Sequence, residues 1–241
     1  MHFYFITGSS KGIGLAIVKG LLQNKNNFVV GFSRSNEFKH DRFKHVEADL
    51  SDINHLKENA EEYFQIEGDA ESVTLVNNAG TLGEIGYLGE LDNNSLPDIF
   101  NVNLIAPVLL MNTFIKKFKD STANLLILNI SSGAGGYPVD GWSGYCATKS
   151  AINMISEVVS KEQEIRESKI RIFSVAPGVV DTGMQKAIRN TDNEKFSGVE
   201  KFVNLKSNKA LASTDQAAEK IISILKDPGN FKEVMQDVRS L

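Results

Sequence analysis

The stretch FYFITGSSKGIG, residues 3–14, decides how this chain is read. FYFIT (3–7) is a short apolar run of strand type. From Gly12 to Gln23 the residues Ile13, Ile17, Val18, Leu21 and Leu22 recur at helical spacing. Between strand and helix, TGSSKGIG (7–14) sets glycines at 8, 12 and 14. They permit a tight turn and close approach of backbone to a ligand, while the helix start behind them offers free N–H groups and a favourable dipole. A glycine cluster alone is a weak signal; in this context it reads as a pyrophosphate cradle. The spacing is G-x-x-x-G-x-G, not the more usual G-x-G-x-x-G.

The same alternation runs to the end of the chain. Strand patterns at FVVGFS (28–33), FKHVEADL (43–50), SVTLVNNAG (72–80), NLLILNISS (124–132) and KIRIFSVAPG (169–178) are separated by helix patterns near 52–66, 95–119 and 143–168. A last helix covers 214–226, and KEVMQDV (232–238) is read as an edge strand. Pro107 should bend or split the helix at 95–119. NLLILNISS is the most continuous apolar run and is expected at the sheet centre. The pattern implies parallel βαβ units in an α/β, Rossmann-type doubly wound sheet, three layers deep, within one domain spanning 1–241. The weakly patterned stretch 179–212 follows a strand end, where such sheets bind ligands, and is expected to be a lid.

Composition narrows the function classes. In 241 residues the formal net charge is −4, and the 26 lysines and arginines are scattered, which argues against nucleic acid or a membrane surface as partner. A single cysteine, Cys146, leaves no internal disulfide and no cysteine-based zinc site, and no His/Asp/Glu spacing suggests a metal. MHFYFITGSS has no basic leader, and no window reads as a membrane span. The expectation is a cytoplasmic protein. The four histidines (2, 40, 45 and 55) lie away from the motifs and are expected in surface or packing roles.

FSRS (32–35) ends the second strand, where an acid would hold ribose hydroxyls. Ser33 and Arg34 stand there instead, with Lys11 in the glycine turn, and two cations without an acid favour NADP(H). SSGAGGYPVDGWSGYCATK (131–149) places Tyr145 and Lys149 one helical turn apart, after a Ser-Ser pair at a strand end. The lysine charge would favour phenolate and lower the Tyr145 pKa. The tyrosine would then be a general acid towards a carbonyl that a serine hydroxyl polarises.

Together with Asp49-Leu50, NNAG (77–80), NVNL (101–104) and PGVVDT (177–182), these motifs resemble the short-chain dehydrogenase/reductase family over essentially the whole chain. The resemblance implies that Tyr145 is the acid/base and Lys149 its partner, also binding the nicotinamide ribose. By the same likeness Ser132, rather than Ser131, polarises the carbonyl, and Asn103 holds a relay water. Gly8, Ser10, Lys11, Gly12, Ile13 and Gly14 would hold the cofactor, with Asp49 and Leu50 at the adenine. Asn78, Ala79 and Gly80 would lie at the adenosine ribose, and Pro177, Gly178, Val180 and Thr182 at the carboxamide side. The stretches 131–149 and 176–189 are similar to the sepiapterin reductase and benzil reductase subgroup. That subgroup reduces a ketone next to another carbonyl with NADPH.

Trp142, Tyr137, Met184 and Leu82 are candidate pocket walls, Trp142 being read equally well as core, and Asp237 stands where a pterin-anchoring acid would be. The expected function is NADPH-dependent reduction of a ketone or α-diketone. An NADP(H)-sensing regulator and an NADP-linked alcohol or steroid dehydrogenase working oxidatively remain as alternatives. A homodimer or homotetramer formed through helices 95–119 and 143–168 is expected from the resemblance.

Overall fold

The computed structural model describes residues 1–241. Strand β1 (His2–Thr7) alternates faces residue by residue. Phe3 and Phe5 enter one apolar cluster and Tyr4 and Ile6 the other, as a strand period of two requires when both faces are covered. Strand β2 is Asn27–Ser33, β3 Phe43–Glu47, β4 Ser72–Asn77, β5 Asn124–Ile130, β6 Arg171–Ala176 and β7 Met235–Asp237. All pair in parallel, in the order β3-β2-β1-β4-β5-β6-β7. β4, not β5, is therefore the middle strand, which corrects the expectation for NLLILNISS. Continuous apolarity marks burial on both faces, and β5 has that one place off centre.

Helices α1 (Gly12–Leu21) and α8 (Thr214–Lys226) cover one face through Ile17, Leu21, Ile221 and Leu225. α2 (Ile53–Tyr63), α4 (Ala106–Phe118) and α5 (Ser143–Ile165) cover the other through Leu56, Phe114 and Ile152. The expected helix at 95–119 is three pieces: α3 (Leu96–Phe100), a π turn at Asn101–Ile105, then α4. Pro107 gives the reason, since it has no N–H for the Asn103 carbonyl four residues back. By length and composition Leu96–Phe118 is long and apolar enough to cross a membrane, contrary to the expectation from the sequence. Here Leu110, Phe114 and Phe118 pack into the core on the sheet.

The stretch 179–212 carries two short helices, α6 (Gly183–Arg189) and α7 (Val199–Ser207), that the sequence pattern did not reveal. Its two ends are stitched together: Val180 bridges Ala212, Asp181 N–H donates to Ala212 O at 2.9 Å, and Ala212 N–H donates to Val179 O at 3.0 Å. It is thus an excursion with a paired base. The strand order reverses between β1 and β4, which places the glycine turn and the NNAG loop side by side at one sheet edge.

Candidate active site

The glycine turn is built against the end of β4. Thr7 Oγ1 accepts from the backbone N–H groups of Asn78 and Ala79 at 2.9 and 3.0 Å, and Asn78 Nδ2 donates to Thr7 O and Gly8 O. Asn78 therefore shapes the turn with its amide. A Cβ at Gly14 would lie 2.2 Å from Gly8 O, and one at Gly8, where φ is +66°, would lie 2.9 Å from Ala79 Cα. Only glycine fits at either place. Gly12 is different: its φ is +58°, and a Cβ there would meet nothing closer than the Thr182 methyl at 3.9 Å. A hollow lined by Gly12, Thr182 and Lys186 opens in front of it. No side chain caps α1 and no acid sits in its first turn. This open, uncapped helix start beside a glycine cradle suits a pyrophosphate, so the residues present fit a dinucleotide.

At the end of β2, Lys11 and Arg34 are exposed and Ser33 is half-buried. Ser33 Oγ donates to Ser35 O at 2.9 Å. His45 Nε2 lies 3.0 Å from both Ser33 Oγ and Ser33 O, so one histidine does stand beside the motifs, against expectation. The β2–β3 register, with Gly31 opposite His45, brings it there. Asp49 is exposed; the Ser51 N–H and hydroxyl, with Arg34 nearby, hold its carboxyl below the usual range. Leu50 is buried.

β5 ends at Ile130, and Ser131 and Ser132 follow. Ser131 Oγ donates to Asn153 Oδ1 at 2.5 Å, whereas Ser132 Oγ accepts from Ala134 N–H at 3.2 Å and borders a cavity together with Tyr145. Tyr145 is 7% exposed, and burial raises its pKa, with the Ser132 hydroxyl opposing the rise. The net shift is thus upward, burial outweighing the lowering expected from the Lys149 charge. Its ammonium lies 5.7 Å from the Tyr145 ring centre and is tied to Ile130 O at 2.8 Å. Burial pushes Lys149 itself down to about 8, because a charge loses its hydration inside the protein.

Asn103 sits in the π turn and is buried. Its Oδ1 accepts from Thr81 N–H at 2.8 Å, and its Nδ2 donates to Thr81 O at 2.8 Å and Thr148 Oγ1 at 3.2 Å. Both amide hydrogens are used, so the side chain is a clamp on the loop after β4. Gly80 lies in the same corner: a Cβ there would be 3.5 Å from Asn103 Oδ1 and 3.6 Å from Lys149 Nζ.

The cavity is bordered by Ile13, Leu82, Tyr137, Trp142 and Met184, and by the turn Pro177–Val180 with Thr182. Trp142 answers to both of its readings. It borders the cavity, yet is 7% exposed and packs against Phe196 and Phe202, with Tyr145 edge-on at 5.8 Å. Asp237 does not border the cavity. Its carboxylate is held by Arg239, and the Arg239 side chain reaches the cavity instead. The sequence reading missed Arg239, Gln185, Ile188 and Phe202. Only Phe202, an aromatic within the expected lid, carried a signal. Cys146 is half-buried and packs against the Val139 carbonyl.

The model of the short chain dehydrogenase family matches residues 3–193. A benzil reductase, (S)-benzoin forming, from Bacillus cereus is 34% identical over 235 residues, covering 93% of this chain and 94% of its own. The enzyme of that name from Bacillus subtilis (strain 168) is 36% identical over 232 residues, with 93% of each chain covered. The crystal structure of the short chain dehydrogenase/reductase YIR035C from Saccharomyces cerevisiae superposes with a TM-score of 0.85 at 25% identity, covering 99% of this chain and 96% of that one. The chain belongs to the short-chain dehydrogenase/reductase family. It is an oxidoreductase of that family and takes a nicotinamide dinucleotide.

Proposed function

We propose that the protein reduces a ketone or an α-diketone to the alcohol with NADPH, Tyr145 giving the proton. The observation that carries this reading is that Ser132 and Tyr145 border one largely apolar cavity that the Pro177–Val180 turn and Thr182 also line. The benzil reductases among the relatives support a flat aromatic diketone as substrate, and the Trp142, Leu82 and Met184 walls suit one.

The dinucleotide would be held by Gly8, Ser10, Gly12, Ile13 and Gly14 at the pyrophosphate, and by Asp49, Leu50 and the 78–80 loop at the adenosine. Pro177, Gly178, Val180 and Thr182 would flank the nicotinamide. Lys11 and Arg34, with no acid at the end of β2, favour the 2′-phosphate form. When bound, it supplies the hydride that adds to the carbonyl carbon.

The rest is the work of this chain. Ser132 Oγ donates to the carbonyl oxygen and holds it as negative charge develops. Tyr145 keeps its proton at neutral pH, as an ordinary phenol of pKa about 10 does, and burial shifts it further the same way. The proton passes to an alkoxide, a far stronger base than a phenolate, so transfer is favourable. Lys149 stabilises the phenolate left behind, and Asn103 holds Thr81 and the neighbouring wall residue Leu82 in place. The excursion 179–212 acts as the lid, with Met184, Ile188 and Phe202 bordering the cavity. Its aromatic Phe196 packs on Trp142.

NADPH oxidation with benzil tests the reading. Tyr145→Phe should lower kcat by about 10²–10⁴ while NADPH binding persists. Turnover retained in that variant overturns the assignment.

A further inference from the structure

The cavity has one charged side chain on its border, that of Arg239, contributed by the turn after β7. The reacting end is deep, with Tyr145 7% exposed. Arg239 and Tyr137 stand at the mouth, the Arg239 side chain 66% and Tyr137 58% exposed. The arginine is not loose. Its stem lies against the Pro177–Val180 turn, 3.4 Å from where a Cβ of Gly178 would be. Its Nε donates to both Asp237 carboxylate oxygens, at 2.9 and 3.0 Å, and its Nη2 to one of them. Nη1 makes no hydrogen bond within the protein and is left for a ligand. The local charge stays positive, because Lys220 also acts on Asp237, with its Nζ on the Val238 carbonyl at 2.7 Å. Two cations thus stand near one carboxylate, Arg239 alone pairing with it. An oriented guanidinium with a free donor, at the mouth of an otherwise uncharged cavity, is suited to a carboxylate.

We infer that Arg239 forms an anion subsite, so that the preferred substrates are carbonyl compounds bearing a carboxylate at the end remote from the reacting carbonyl. The inference rests on the carbonyl-reductase reading for the reaction and on its own geometry for the subsite. Asp237 is the residue that positions Arg239, which gives the C-terminal acid a task other than touching substrate.

The experiment compares kcat/KM for 4-carboxybenzil with that for its methyl ester, which keeps the shape and removes the charge. In the wild type the acid-to-ester ratio should exceed that of Arg239→Gln by about tenfold. Arg239→Lys, which keeps the charge but not the fork that Asp237 orients, should lose part of the preference, and 0.5 M salt, about the screening regime of a few ångströms, should narrow it. Equal ratios in the wild type and Arg239→Gln overturn the subsite. If the wild type reduces neither compound, the reading of the reaction falls and the subsite is decided separately. Trp142 is the only tryptophan and borders the same cavity, so its fluorescence reports binding to the NADP⁺-loaded enzyme. Tighter binding of acid than ester in the wild type, lost in Arg239→Gln, supports the subsite; equal affinities overturn it.

Discussion

The ammonium of Lys149 donates to the carbonyl oxygen of Ile130 across 2.8 Å, inside the protein, with 4% of the lysine exposed. One hydrogen bond does not replace full hydration, and burial pushes the lysine down to about 8 from an ordinary 10.5. Between those two values the unfolded chain holds a proton that the folded chain has released. Folding therefore becomes more favourable as pH rises through this window, and the full penalty applies below about pH 8. A shift of this size corresponds to about 3 kcal/mol.

Lys149→Met should consequently be more stable than the wild type at pH 7, by about 2 kcal/mol once the lost hydrogen bond is subtracted. The gain should fade as pH approaches 10.5. Urea unfolding at pH 7 and pH 10 measures both, and a variant less stable than the wild type at pH 7 counts against the buried charge. The same variant should have lost its reductase activity, a trade of activity for stability.

The activity of the wild type should register the same titration. On the proposed role of Lys149, kcat/KM of the free enzyme requires its charge, so it should fall as pH rises above about 8. A profile flat from pH 7 to 9.5 would show that the lysine charge plays no part.

The glycine turn gives a steric prediction. A Cβ at Gly14 would lie 2.2 Å from Gly8 O and 2.5 Å from Asn78 Nδ2, and the first of these is backbone that cannot swing aside. Gly14→Ala should lose stability by about 1–3 kcal/mol and lose dinucleotide binding altogether. Thermal unfolding and NADPH fluorescence titration check the two effects. A variant binding NADPH normally would mean that the turn is more yielding than its contacts suggest.

These contacts mark what the sequence could and could not convey. The alternation of Phe3, Tyr4, Phe5 and Ile6 between two cores is written directly in a two-residue period, and so the layers were legible. The Ser132–Tyr145 pairing was legible because its motifs come in a fixed order. Direction of titration was not, because it depends on how deeply Tyr145 and Lys149 are buried, which no local spacing states. His45 reaches Ser33 only through the β2–β3 register, set by pairing between strands. Arg239 follows a strand of three residues whose place at the cavity comes from β6–β7 pairing. Helices α6 and α7 are seven and nine residues long, too short for a firm periodic signal.

Cofactor choice should respond to charge at the end of β2. Lys11 and Arg34 are both exposed, and a 2′-phosphate would replace their hydration with charge-assisted hydrogen bonds. Lys11→Ala with Arg34→Ala should raise the KM for NADPH by about tenfold or more and leave that for NADH nearly unchanged. Steady-state kinetics with each cofactor decides it; parallel losses for both would place the cations on the shared part of the dinucleotide.

Assembly is open to a direct test on α5. Met154 and Val158 lie four residues apart on one helix face and are 60% and 47% exposed, with Phe100 and Ile105 apolar and part-exposed on the neighbouring α3 and π turn. Residues at i and i+4 share a face, so the pair forms a continuous apolar patch that a second copy of the chain could cover. Dimer or tetramer formation through α4 and α5 should put this patch in the interface. Met154→Glu with Val158→Glu would then bury two unpaired charges there, and the assembly should fall to monomer while the fold survives, since neither side chain is in the core. Light scattering after size exclusion reads the mass, and circular dichroism confirms the fold. An unchanged mass in the double variant would place the interface elsewhere.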